Sequence, residues 1–146
     1  KDKILLKLYC YLKLPLIAYC RPKIITLTYI ESIVEIPLNR RTKNHFKSMY
    51  FGALSIGADF TGGLLVMNMI KKNKSKSRLL FKDFSANFIK RCTTDIVFSC
   101  SDHAIIQKSI DRNLETGERV NFKLKVLAFS KNGEHVADFV LTTSIK

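Results

Sequence analysis

The sequence lacks the pairings that build metal centres. Its four cysteines, Cys10, Cys20, Cys92 and Cys100, never fall into C-x-x-C spacing, and its three histidines are scattered. No metal site is therefore expected. Acids are scarce as well: 12 Asp and Glu stand against 25 Lys and Arg, a formal net charge of +13. That charge suits nucleic acid, an anionic membrane or a phosphate-bearing small molecule. Nucleic acid is disfavoured, because there is no RGG tract, no zinc-finger spacing and no basic helix running into heptads. The basic residues are spread along the chain, with one cluster at Lys71–Arg78 that reads as a solvated loop after a helix. A secretory leader is not expected: Lys1–Leu16 is broken by Lys7, Lys13 and Pro15 and offers no clear cleavage site. Free thiols in a reducing, cytoplasmic setting follow.

What the chain does have is one long apolar run. Asn44–Ile70 reads NHFKSMYFGALSIGADFTGGLLVMNMI, and between Met49 and Ile70 the only charge is Asp59. The run passes the length test for a membrane span, about 20 apolar residues. A carboxylate near its centre would cost roughly 2.5–3.5 kcal/mol on insertion. Ser55, Thr61 and Asn68 add further polar groups, and the flanks alternate like strands of a packed sheet. A core helix is the better reading. Its glycines, Gly57, Gly62 and Gly63, lower helix propensity and so point to close approach of helix and sheet.

The chain of 146 residues is long enough for one domain with a real core. Ile4–Leu14 has a short amphipathic pattern ended by Pro15, expected to pack on the body of the domain, with a membrane surface as the alternative. Tyr19–Pro22 reads as a connector. Ile24–Ile30 and Ile33–Leu38 are β-branched and aromatic, a hairpin with its turn at Glu31-Ser32. Asn39–Asn44 is a polar, basic loop feeding the central run. Strands follow at Leu79–Ile89, with Phe84, Ala86 and Phe88 on one face, and at Asp95–Cys100. Asp102 is placed to cap a helix over His103–Leu114, closed by Glu115-Thr116-Gly117. Val120–Ser130 alternates cleanly, Asn132-Gly133 marks a hairpin, and Val136–Ile145 returns. The order implies an α+β fold, one long helix wrapped by a curved antiparallel sheet. It divides into residues 1–22, an N-terminal helix and connector, and residues 23–146, the main domain.

The segment Asn44-x5-Tyr50-Phe51-Gly52-Ala53-x5-Asp59 resembles the signature of hotdog-fold acyl-CoA thioesterases of the phenylacetate-pathway type. That signature is Asn, five residues, His-Gly-Gly, then an acid seven residues after the second Gly. Spacing agrees at Asn44, Gly52 and Asp59, and the order of elements agrees over about Lys23–Lys146. Pro15–Ile24 and Asn39–Asn44 are similar to an uncharacterised thioesterase-like hotdog subfamily. The resemblance implies a homodimer, or a dimer of dimers, with sites at the subunit interface. In the family the Asn comes from one subunit and the acid from the helix of the other.

Applied to this chain, the resemblance makes Asp59 the general base or nucleophile and Asn44 the group that orients water or holds the thioester carbonyl. The N–H groups of Phe51 and Gly52, at the helix start, would hold the oxyanion. Burial should raise the pKa of Asp59, which suits a base. Lys90, Arg91 and Tyr50 are expected to contact coenzyme A, which enters as part of the substrate and not as a separate cofactor. The alternative for Lys90 and Arg91 is a solvated strand end, and for Asp59 a carboxylate capped by hydroxyls or backbone for packing specificity. His45 reads as a loop residue. The sequence departs from the family at Tyr50-Phe51, where His-Gly would stand, and the Phe51 ring bears on substrate access. Thioester hydrolysis is the leading reading, with a non-catalytic hotdog that binds acyl-CoA or fatty acyl groups as the alternative. A basic membrane-associated or nucleic-acid-binding protein is the third.

Overall fold

A computed structural model describes residues 2–146. The elements are α1 (Asp2–Lys13), α2 (Pro15–Tyr19), β1 (Lys23–Leu27), β2 (Ser32–Ile36), α3 (Phe51–Lys72), β3 (Leu79–Phe88), β4 (Ile96–Cys100), α4 (His103–Thr116), β5 (Val120–Ser130) and β6 (His135–Ile145). The strands form one sheet in the order β1-β2-β4-β5-β6-β3, antiparallel at every pairing. The α+β architecture expected from the sequence is the one observed.

Pro15 ends α1 as expected, and then opens α2, where its fixed φ and missing N–H suit the first helical position. The connector is thus shorter than Tyr19–Pro22, beginning at Cys20. The first hairpin also differs. Its turn lies at Thr28–Glu31 and not at Glu31-Ser32. Thr28 closes it: its Oγ1 accepts the N–H groups of Ile30 and Glu31 at 3.2 and 3.1 Å, and its N–H donates to the Glu31 carbonyl at 3.0 Å. Ser32 is freed to begin β2, where it is buried and donates to the Thr61 carbonyl of α3 at 2.6 Å.

The apolar run becomes α3, which starts at Phe51 and touches β2, β3, β4, β5 and β6. It is the one helix among the described residues long and apolar enough to cross a membrane, and 67% of its apolar window is buried against this sheet and its neighbours. Leu65 and Val66 are fully buried on it, each side chain contributing roughly 1.5–3 kcal/mol by leaving water. The glycines divide in role. A Cβ on Gly57 would stand 2.3 Å from the Phe98 ring of β4, so the helix can lie this close only without one. Gly62 would meet Leu124 at 3.4 Å, and Gly63 would meet Phe81 at an ordinary 3.9 Å. The close approach expected of the whole cluster is therefore concentrated at Gly57.

Phe122, Leu124, Val126 and Ala128 of β5 are all buried, while Asn121, Lys123 and Lys125 are exposed. α4 covers one end of the same face through Ile106 and Ile110, both fully buried. Asp102 occupies the N-cap position of α4, but its side chain makes no cap bond; its Oδ2 instead accepts the Lys125 N–H at 2.7 Å. The αL residue Gly117 ends the helix, φ 69°, and Gly133 turns the last hairpin, φ 84°.

β3 forms one edge of the sheet, beside β6 only. A register shift between Phe81 and Asp83 moves its core-side set from Leu79 and Phe81 to Phe84, Ala86 and Phe88. Phe84 and Phe88 pack against the fully buried Phe139 at ring distances of 5.7 and 6.1 Å, yet remain 41% and 48% exposed. The strand thus presents an unpaired backbone edge beside an uncovered apolar strip.

The two helix glycines should respond oppositely to alanine. Gly57→Ala should destabilise the fold by about 1–3 kcal/mol through overpacking on Phe98. Gly63→Ala should stabilise it by roughly 0.5–1 kcal/mol through helix propensity. Urea unfolding of both variants checks the pair; equal effects at the two sites would remove the close contact as the reason for Gly57.

Candidate functional site

Asp59 is half-buried on α3, and burial pushes its carboxyl above the ordinary carboxylate range. No hydroxyl, amide or cation among the described residues bonds it. The hydroxyls nearest in sequence are engaged elsewhere: Ser55 Oγ donates to the Phe51 carbonyl at 2.9 Å and Thr61 Oγ1 to the Gly57 carbonyl at 2.6 Å. The carboxylate therefore carries no cap from hydroxyls or backbone among the described residues. Its direction follows from the helix. Gly63 lies one turn further on the same face, and a Cβ there would point at Leu79 and Phe81 of β3. Asp59 thus lies on the side of α3 turned towards β3.

The start of α3 carries a second group of interest. Tyr50 is the N-cap residue and makes no side-chain cap bond. The N–H groups of Phe51 and Gly52, which a helix leaves without internal partners, are accepted by nothing else among the described residues. The Tyr50 ring folds over Gly52, where a Cβ would stand 2.4 Å from its Cε1, and meets the Phe51 ring at a tilt, 4.8 Å between centroids. Gly52 is thus needed for the Tyr50 ring to lie where it does. Tyr50 and Phe51 are 49% and 60% exposed, an aromatic rim beside those N–H groups.

Asn44 sits in the loop before α3 with its carboxamide oxygen already engaged. Oδ1 accepts the Phe46 N–H at 2.9 Å, the Ser48 N–H at 3.1 Å and the Ser48 hydroxyl at 3.2 Å. Only its Nδ2 remains to donate outwards. Arg91 braces the same loop: Nε donates to Ser48 Oγ at 3.2 Å and Nη2 to the Phe46 carbonyl. The Met49 N–H bonds the Cys92 carbonyl at 2.8 Å and the Tyr50 N–H the Thr42 carbonyl at 2.8 Å, fixing the approach to α3. Lys90 pairs with Glu134 at 3.0 Å, both well exposed, a contact worth little by itself. His45 lies against the Phe46 ring at a tilt, 4.0 Å between centroids, and takes no part in these bonds.

Asn44 and Arg91, joined through Ser48, and Tyr50, Phe51 and Gly52 just after them therefore make up one stretch leading into the α3 N-terminus. Asp59 is not part of it within a single chain. Seven residues of helix separate it from Gly52, about 10 Å along the axis, too far for both to touch one carbonyl group. The bracing of the loop by Ser48 and Arg91 was missed in the sequence; the Asn44…Ser48 spacing was its one signal, an Asx oxygen able to cap N–H groups two and four residues on. Two hollows, about 800 and 150 Å³, lie along α4 and the start of β5, and neither is lined by these residues. The four cysteines are free and buried, and Cys100 is pushed up to about 11, as an inert thiol would be. Among the described residues no three His, Cys, Asp or Glu side chains gather as a metal site.

A long helix laid on this six-stranded antiparallel order is the hotdog fold. Residues 2–145 match the family described as a domain of unknown function, DUF4442, and the chain belongs to it. No curated protein matches it in sequence. Among solved structures it is similar to an inferred thioesterase from Shewanella oneidensis, at 17% identity and a TM-score of 0.80, covering 99% of this chain and 98% of that one. It is similar to a Pseudomonas aeruginosa protein of unknown function, also an inferred thioesterase, at 20% identity and a TM-score of 0.82, over 97% and 93%. A Chlorobaculum tepidum protein with unknown function aligns at 15% identity and a TM-score of 0.85, over 96% and 91%. At these identities the likeness is one of fold.

The charge on Asp59 should weaken the fold at neutral pH. Below its unfolded-state pKa both states hold the proton and burial costs little. As pH rises through that value towards the higher folded-state one, the folded chain keeps a proton the unfolded chain has lost, and stability falls. Asp59→Asn should therefore unfold at higher temperature than the parent at pH 7, with the gain fading as pH drops below the ordinary aspartate range. Thermal melts of both proteins over pH 3–8 test this, and a gain independent of pH would contradict the desolvation argument.

Proposed function

We propose that the chain is an acyl-CoA thioesterase whose active site forms between two copies. The observation that carries this reading is the isolation of Asp59: a desolvated, unpartnered carboxylate facing a strand edge, on a helix whose free N–H groups lie about 10 Å away. Neither half is a site alone. Pairing of β3 with β3 of a second copy would cover both apolar strips and bring the second chain to the Asp59 side.

In that arrangement Asn44, Phe51 and Gly52 of one chain face Asp59 of the other. Asp59 takes a proton from water as the hydroxyl oxygen bonds to the thioester carbon. The carbonyl oxygen becomes an oxyanion held by the Phe51 and Gly52 N–H groups at the positive end of α3, with Asn44 Nδ2 as a further donor. Collapse breaks the C–S bond, the leaving thiolate recovers the proton from Asp59, and a carboxylic acid and free coenzyme A depart. Lys90 and Arg91 are exposed at the end of β3, and their charge suits the coenzyme's phosphates. Tyr50 and Phe51 would flank the entering acyl group. The Phe84 and Phe88 strip supports an apolar acyl chain. Hydrolysis of this kind needs no metal and no further cofactor, and a cytoplasmic setting fits the free thiols.

Release of thiol from acyl-CoA esters of graded chain length tests the activity. Asp59→Asn should lower kcat about 10²–10⁴-fold, and the parent's kcat/KM should fall at low pH as Asp59 takes up its proton. Asn44→Ala and Asp59→Asn chains refolded together should recover about a quarter of parental activity, since half the random dimers carry one intact site of two. Mixtures no more active than either parent variant would exclude a shared site. Tight acyl-CoA binding without turnover would favour the non-catalytic binder.

A further inference from the structure

The N-terminal helix is oriented the wrong way round for a helix that packs only on its own domain. α1 touches the body through a narrow strip: Cys10 is buried and Leu6 half-buried, beside Ile17, Phe60 and Leu64. The rest of its apolar residues point outwards. Ile4 is 72% exposed, Tyr11 71% and Leu12 65%, with Leu5 and Leu8 also open. At about 100° per residue, Tyr11, Ile4, Leu8, Leu12 and Leu5 form one continuous arc of about 120°, directed away from Cys10. Lys3 and Lys7 lie between this arc and the body on one side, Lys13 on the other. Leu16 and Tyr19 of α2 continue the exposed apolar surface.

Charge points the same way. Before Glu31 the only acid is Asp2, while Lys3, Lys7, Lys13, Arg21 and Lys23 all fall in this segment. An apolar arc rimmed by lysines, with tyrosines at its margin, has the composition of a helix lying in a bilayer interface: apolar side chains enter the acyl boundary, and lysines reach back to anionic headgroups. A second copy fits less well. Docking α1 on α1 would bring like charges together, and a three-turn face is small against the ~800 Å² per partner of a stable interface.

We infer that α1 is a docking face for an anionic lipid surface, holding the domain at the membrane without crossing it. This inference does not rest on the thioesterase reading. The full chain should float with vesicles of phosphatidylcholine containing about a third phosphatidylglycerol, bind vesicles of phosphatidylcholine alone much more weakly, and lose binding as salt is raised. Leu8→Ser with Leu12→Ser should reduce flotation about tenfold or more while leaving the melting temperature unchanged, since both side chains are exposed. Lys7→Gln with Lys13→Gln should weaken binding to the anionic vesicles specifically. Failure of the parent to float, or equal flotation of the serine variant, would overturn the proposal. So would self-association in sedimentation that the serine variant abolishes without any lipid binding, which would make a second copy the occupant.

Discussion

The contact on which the molecule depends is the one between Gly57 and the Phe98 ring. It lets α3 settle onto β4 at a distance no side chain would permit, and everything else on the helix takes its direction from that seat. With Gly57 against the sheet, Ala58 and Leu65 are sealed in the core. Asp59, two residues on, is turned sideways, out of the tightest packing but still among apolar neighbours. A carboxylate there is half removed from water without being enclosed, which keeps it reachable while raising its pKa. The seat that stabilises the fold also sets the protonation behaviour of its only mid-helix charge.

The edge of the sheet is the second constraint. An edge strand normally carries charge, proline or a covering element against unwanted pairing. β3 carries a bulge at Phe81–Asp83, but also a long unpaired backbone and two half-exposed phenylalanines. Asp59 lies on the side of α3 turned towards the same strand, so the open edge and the unpartnered acid share one side of the molecule.

Much of the fold was legible in the sequence, because its signals were redundant. Val120–Ser130 alternates without error and folds with those bounds, and Asn132-Gly133 forces the next turn. The run around Asp59 was too apolar and too long for anything but a buried helix or a bilayer span. What was hidden depended on one side chain outbidding another. Thr28 captured the hairpin turn with its hydroxyl, a choice Glu31-Ser32 did not announce. Asp102 gave its carboxylate to a neighbouring strand. At the site, the isolation of Asp59 was visible as a lone charge. The engagement of Asn44 by Ser48, and of Ser48 by Arg91, was not, since Arg91 lies more than forty residues away in the chain and only the folded sheet brings it back.

That last bond has a mechanical consequence. Arg91 lies just beyond the end of the edge strand, after Ile89 and Lys90, and the loop it holds leads into α3. Order in one is therefore coupled to the other through the Arg91 guanidinium and the Met49–Cys92 backbone bond. A chain whose edge is frayed would also have a slack loop before its helix, and a chain whose edge is tied would have a taut one.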